Sequence, residues 1–209
     1  MMEEQILESF KILVFRKGIK SISIDELAQE MRVSKKTIYQ YFKSKEDLVN
    51  NLLKKHLKTH QQIIEKIHNE SEDMIQEILL IMQCSTHMLT QINPIVFEDL
   101  KIHYKKIWHN FEQFKKEYVI DRLMKTLEKG QKQGLIRKNI PLELMAHLRL
   151  KEIELLMDYN FVKTFKMSMQ EMQQSITEYF ILGVGTQKGI DKMYEYLKHP
   201  EKIKFNLNC

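Results

Sequence analysis

The sequence predicts an all-α fold, and three observations carry that prediction. Leu, Ile, Met and Phe dominate an apolar fraction of 43% in 209 residues. Only six Gly and three Pro interrupt it, too few for a turn-rich β architecture or a disordered chain. The apolar residues recur at three- and four-residue spacings, and no segment alternates convincingly as a strand.

The elements follow in order. A first helix is predicted over 3–17, with Ile6, Phe10, Leu13 and Val14 on one face and Gly18 placed to end it in a left-handed cap. Ser23-Ile-Asp-Glu26 reads as a capping box opening a short helix from Ile24 to Met31. Val33 and Ser34 interrupt it. Ser34 can cap a third helix reaching about Phe42, and Ser44-Lys-Glu-Asp47 opens a long helix toward His68. The acidic stretch Glu70 to Asp73 suits the positive end of another helix, which runs to about Ile92 before Asn93-Pro94 breaks it. A further helical stretch covers 95–132, with a kink expected near Lys105, and Gly130 and Gly134 bracket its end. Pro141 restarts a helix to about Phe165, and Ser168-Met-Gln-Glu171 is a third capping box. Gly183 to Gly189 then separates that helix from a last one ending before Pro200.

The organisation expected is a small basic module at 1–50, joined through the helix at 45–68 to a larger helical domain over 51–209. With only Cys84 and Cys209, no disulfide framework or four-cysteine zinc site is available. No run approaches about 18 uncharged apolar residues, and the first 30 residues are unlike a signal peptide. A cytoplasmic protein with no membrane partner is expected. Net charge is +5, and its placement is informative. Between residues 31 and 58 stand Arg32, Lys35, Lys36, Lys43, Lys45, Lys54, Lys55 and Lys58 against only Glu46 and Asp47. Such a patch suits a polyanion, although a solvated helical face would carry the same charges.

Two short helices joined by three or four residues can lay the second in a DNA major groove if a small residue lets them cross closely. Ala28 supplies that residue. Leu27, Met31, Val33, Ile38 and Tyr41 fall where the helices share a core, leaving Ser34, Lys35, Lys36, Thr37, Tyr39 and Gln40 outward. Two cations and several hydrogen-bond donors suit phosphates and base edges.

These residues resemble the TetR family of bacterial transcription regulators. The match is carried by Ile6-Leu7 through Gly18, Ser23-Ile-Asp-Glu-Leu-Ala28, Val33-Ser-Lys-Lys-Thr-Ile-Tyr39, Tyr41-Phe42 and Lys43-Ser-Lys-Glu-Asp-Leu48. It covers residues 6 to about 50, and the chained spacing is far more specific than a bare helix-turn-helix. Beyond residue 70 only the architecture is similar. The resemblance implies that the third helix reads the major groove and that Ser23, Ser34, Tyr39 and Lys45 clamp phosphates. Lys35, Lys36, Thr37 and Gln40 are left for base edges. Phe42 reads as core, and Tyr41 as either core or DNA-facing. Two positions depart from the family pattern. Arg32 stands where the family usually has Gly, so a left-handed turn there would be strained by roughly 1 to 2 kcal/mol. Phe10 and Val14 exchange the usual small and aromatic positions, conserving volume.

Other signals are weaker. His56 and His60 lie four apart, but no carboxylate or Cys nearby completes a metal set. Glu65 and His68 form one Glu-x-x-His, whereas a helical di-iron site needs a second copy. Gly183-Val-Gly185-Thr-Gln-Lys-Gly189 lacks the strand and the Gly-Lys-Ser/Thr of a phosphate loop. No catalytic set, metal or cofactor is implied. The cluster Met82, Cys84, His87, Met88, Phe97, His103, Tyr104, Trp108 and Phe111 flanks Asn93-Pro94, where the family usually encloses a small molecule. An aromatic, largely apolar lining would suit an apolar effector, while core packing is the plainer account of each residue. Leu142, Leu144, Met145, Leu148, Leu150, Ile153, Leu155, Leu156 and Met157 cover too many helical phases for one stripe. With Met169, Met172, Ile176, Tyr179, Phe180 and Leu182 they could form a four-helix homodimer interface, as the family does, or bury one another within a subunit.

The expectation is therefore a homodimeric, ligand-responsive regulator, a repressor of a pseudo-palindromic double-stranded operator. A DNA-binding protein without a small effector is the nearest alternative, and an all-helical enzyme or carrier the more distant one.

Overall fold

The computed structural model describes residues 2–203. Its helices are α1 (Met2–Lys17), α2 (Ile24–Met31), α3 (Lys35–Tyr39), α4 (Lys45–Glu70), α5 (Met74–Gln91), α6 (Ile95–His103) and α7 (Lys105–Phe114). After a π-helical turn at Lys115–Val119 come α8 (Ile120–Lys132), α9 (Leu142–Leu155), α10 (Tyr159–Val162), α11 (Met169–Val184) and α12 (Gln187–Lys198). The only β pairing among the described residues is an isolated bridge between Ile136 and Gly185. No helix among them is long and apolar enough to cross a membrane. Cys209 lies outside the described residues.

Among the described residues two compact units form, one from residues 2–61 with 89–111 and the other from 62–88 with 112–203. In the first, α1 buries the face formed by Ile6, Phe10, Leu13 and Val14. Leu27, Ala28, Ile38, Phe42, Leu48 and Val49 are buried in the same unit. Both Phe10 and Val14 are core, so the exchange of large and small side chains is absorbed there. Gly18 ends α1 at φ +86°, and its N–H donates to the Val14 carbonyl at 2.8 Å. A Cβ at Gly18 would also lie 2.7 Å from Ile95 Cγ2, so two constraints fix glycine.

The second unit has its core around Ile67, Met74, Ile75, Leu79, Leu127, Phe180, Ile181 and Met193. Glu77 is fully buried within it and accepts from Thr126 Oγ1 at 2.6 Å and Lys129 Nζ at 3.2 Å, with His68 Nδ1 at 2.9 Å. A buried carboxylate is tolerated because it is so surrounded. Arg149 is similarly buried, donating to Thr177 Oγ1 at 2.8 Å and Glu152 at 3.2 Å above the Phe180 ring.

Several boundaries differ from the sequence expectation. Residues 95–132 are cut at Tyr104, near the kink expected, and again by the π-helical turn, where the buried Lys115 ion-pairs with Glu112 at 2.7 Å and with Glu154. The helix after Pro141 stops at Leu155 instead of Phe165, because Asp158 caps the separate turn α10 by accepting from the Phe161 N–H at 3.0 Å. Of the three capping boxes only that of Ser168 and Glu171 is complete. Ser23 accepts from the Glu26 N–H, but the Glu26 carboxylate turns to Lys17 Nζ at 2.5 Å. Ser44 likewise accepts from the Asp47 N–H, while the Asp47 carboxylate takes the Lys43 N–H.

Candidate nucleic-acid interface

The interface is built on the turn between α2 and α3. Arg32 caps α2 in the left-handed region, at φ 55° and ψ 39°. Its N–H donates to the Gln29 carbonyl at 3.1 Å and the Val33 N–H to the Ala28 carbonyl at 3.0 Å. This is the double closure of a Schellman motif, kept in its usual shape at the steric cost expected for a non-glycine residue, roughly 1 to 2 kcal/mol.

Ser34 then starts α3, its Oγ accepting from the Thr37 N–H at 3.1 Å and pairing with Thr37 Oγ1 at 2.9 Å. α3 is only five residues long; Gln40 and Tyr41 continue as a turn, and the Tyr41 and Phe42 N–H groups both reach the Ile38 carbonyl at 3.0 Å. Ile38 and Phe42 face the core at 0% and 2% exposure. The same turn leaves Ser34, Lys35, Lys36, Tyr39, Gln40 and Tyr41 exposed, with Thr37 partly so. The assignment of Tyr41 to the shared core is therefore corrected: the residue is 45% exposed, because the chain leaves the helix before it and Phe42 takes the buried position. Met31 and Val33 are only half-buried.

Ser23 is exposed at the start of α2. Lys45 opens α4 and sets its ammonium on the Lys20 carbonyl at 3.3 Å. Partial burial lowers its pKa, while Asp99 and Glu26 oppose that shift. The sequence reading missed two residues here. Asp25 on α2 ion-pairs with Lys35, so a candidate base-reading cation has a partner when DNA is absent. Asp99 on α6 accepts from the Lys20 N–H at 2.8 Å and ties that helix to the α1–α2 loop. No basic residue lies within four positions of Asp25, and nothing in the sequence marks Asp99.

The nine residues considered for an effector divide between the units. Met82 and Cys84 are buried in the core of the second unit, where Met88 is half-buried and His87 exposed. In the first unit Phe111 is buried, Phe97, Tyr104 and Trp108 are half-buried, and His103 is exposed. Trp108 and Phe111 place their ring centroids 5.5 Å apart.

A closed three-helix core that holds cations and amides outward on a short second helix is a helix-turn-helix module, the reading head of a DNA-binding regulator. Residues 6–52 match the family model for bacterial regulatory proteins of the tetR family. An HTH-type transcriptional regulator of Bacillus subtilis, YvaF, is 24% identical over 192 residues, covering 91% of this chain and 99% of that one. Among solved structures, a gamma-butyrolactone receptor (ArpA-like protein) superposes with a TM-score of 0.73 at 14% identity, over 98% of this chain and 100% of its own. FadR of Bacillus subtilis, solved in complex with stearoyl-CoA, gives 0.65 at 18%, over 85% and 97%. Residues 6–52 are thus similar to the DNA-binding module of the tetR family, and the chain as a whole is similar to HTH-type transcriptional regulators.

Proposed function

We propose that the chain acts as a homodimeric repressor released from a pseudo-palindromic operator by a small, largely apolar effector. In this reading residues 1–50 read DNA, residues 51–209 hold the effector and the dimer contact, and the helix at 45–68 connects them. The observation that carries it is the exposed row Lys35, Lys36, Tyr39, Gln40 and Tyr41, held above the buried Ile38 and Phe42. Ser23, Ser34, Tyr39 and Lys45 are assigned to phosphates, Lys35, Lys36, Thr37 and Gln40 to base edges, and the exposed Tyr41 to the DNA-facing side. Two structural neighbours are named with small molecules, stearoyl-CoA and gamma-butyrolactone. For this chain the effector is assigned to the aromatic residues of the first unit, Phe97, Tyr104, Trp108 and Phe111. Effector binding favours a spacing of the two reading heads that no longer matches the half-sites.

The test is a gel-shift titration on the DNA flanking the protein's own gene. Lys45→Ala should weaken binding almost equally across sequences and reduce the salt slope by about one. Lys36→Ala or Gln40→Ala should instead relax discrimination at one base pair per half-site by roughly 1 to 3 kcal/mol. Operator affinity and salt dependence unchanged in all three would overturn the assignment of α3 as reading head.

A further inference from the structure

We propose that the corner between α6 and α7 is a second contact to the DNA backbone, made by Lys101, Lys105 and Lys106 outside the helix-turn-helix. The inference rests on the chain being a DNA-binding regulator but assigns a surface that the helix-turn-helix does not include. From Lys101 to Phe111 the sequence holds three lysines and two histidines and no carboxylate. Lys101, His103, Lys105, Lys106 and His109 are all exposed, and none of the three lysines makes an ion pair among the described residues. The nearby Asp99 is buried and committed to the Lys20 N–H.

The corner belongs to the same compact unit as the reading head. α6 is tied down at its start by the Asn93 N–H on the Phe15 carbonyl at 2.8 Å, and at its middle by Asp99. Beyond its end, the Tyr104 hydroxyl has a raised pKa through burial first, then through the fields of Asp99 and Glu46. Glu46 lies in the first turn of α4, next to Lys45. Asp99 is thus felt both by Lys45, the candidate phosphate clamp, and by Tyr104 at the corner.

Local electrostatics also favours an anion. α7 begins with Lys105 and Lys106 and has no acidic residue in its first turn. Cations sit unfavourably at the positive end of a helix dipole, and stacking two there raises the local positive potential. A phosphate is the group that relieves it. A double-stranded nucleic acid fits better than a discrete anion because the three lysines are spread over a corner and would track a repeating charge.

The experiment compares salt dependence on two duplexes, the DNA flanking the protein's own gene and a random-sequence 40-mer, so that backbone binding is read with and without an operator. The Lys105→Gln/Lys106→Gln double variant is measured beside Lys132→Gln/Lys138→Gln, which removes the same charge from exposed positions of the other unit. Removing one cation from a phosphate should flatten the log–log slope by about 0.9, so about 2 per protomer for the first pair and close to none for the second. Equal slopes for the two double variants would overturn the inference while leaving the reading head intact. Failure of the wild-type protein to bind either duplex would instead overturn the DNA-binding function itself.

Discussion

His56 shows how a single residue can carry a pH dependence through burial. Its ring meets the Phe15 ring edge-on, with centroids 5.7 Å apart. Burial, then the neighbouring His60 and Lys11, lowers its pKa from 6.5 to about 4, and burial lowers that of His60 as well. The folded chain therefore binds fewer protons than the unfolded one between these values. The associated stability is fully present above pH 6.5, falls as the pH drops toward 4, and levels off below it. Denaturant midpoints between about pH 7.5 and 4.5 should fall less steeply for His56→Gln than for wild type; parallel profiles would contradict the account. As a sequence signal, two histidines four apart suggest a metal set that nothing nearby completes. His56 instead packs against Phe15 of α1, and nothing local to the two histidines advertises that contact.

At the scale of elements, the break between α11 and α12 is set by close backbone approach. Thr186 caps α12 by accepting from the Gly189 N–H at 3.2 Å, and its own N–H donates to the Leu135 carbonyl at 3.0 Å. That carbonyl would stand 2.2 Å from a Cβ on Gly189. Gly189→Ala should therefore destabilise the protein by about 3 kcal/mol, as overpacking against an immovable group does. A thermal or denaturant melt checks this, and an unchanged midpoint would show that the contact can yield. Helix ends with local chemistry are legible in the sequence: Ser23, Ser34, Ser168 and Gly18 all cap where their types predict. The π-helical turn at Lys115–Val119 is not, because it is shaped around a lysine whose partner Glu154 lies 39 residues away.

For the whole molecule, the decisive feature is apolar surface that one chain leaves uncovered. Leu144, Leu148 and Leu155 on α9 and Tyr179 and Leu182 on α11 are exposed, Tyr179 by 77%. α9 and α11 pack together in the same unit. These side chains are thus not buried by one another, the alternative the sequence left open. Apolar residues so grouped favour a partner surface, and the proposed dimer supplies it. Sedimentation at micromolar concentration should find the wild type dimeric. Leu148→Glu with Tyr179→Glu should raise the dimer dissociation constant by at least about tenfold, about 1.4 kcal/mol, and weaken operator binding through loss of the second half-site. A monomeric wild type would overturn the proposed assembly.

The helical class, the helix-turn-helix and most of its outward residues are written in the chain itself, because they depend on short-range periodicity, capping chemistry and a chained motif within residues 6–50. Folding in three dimensions was needed to settle that Tyr41 is exposed, that Arg32 holds a left-handed turn, and that Asp99 ties α6 to the α1–α2 loop. It also places His87 and His103 at the surface while Met82 and Cys84 join the core. The reason is physical: a helix presents every side chain to some direction, and which direction is covered depends on elements distant in sequence.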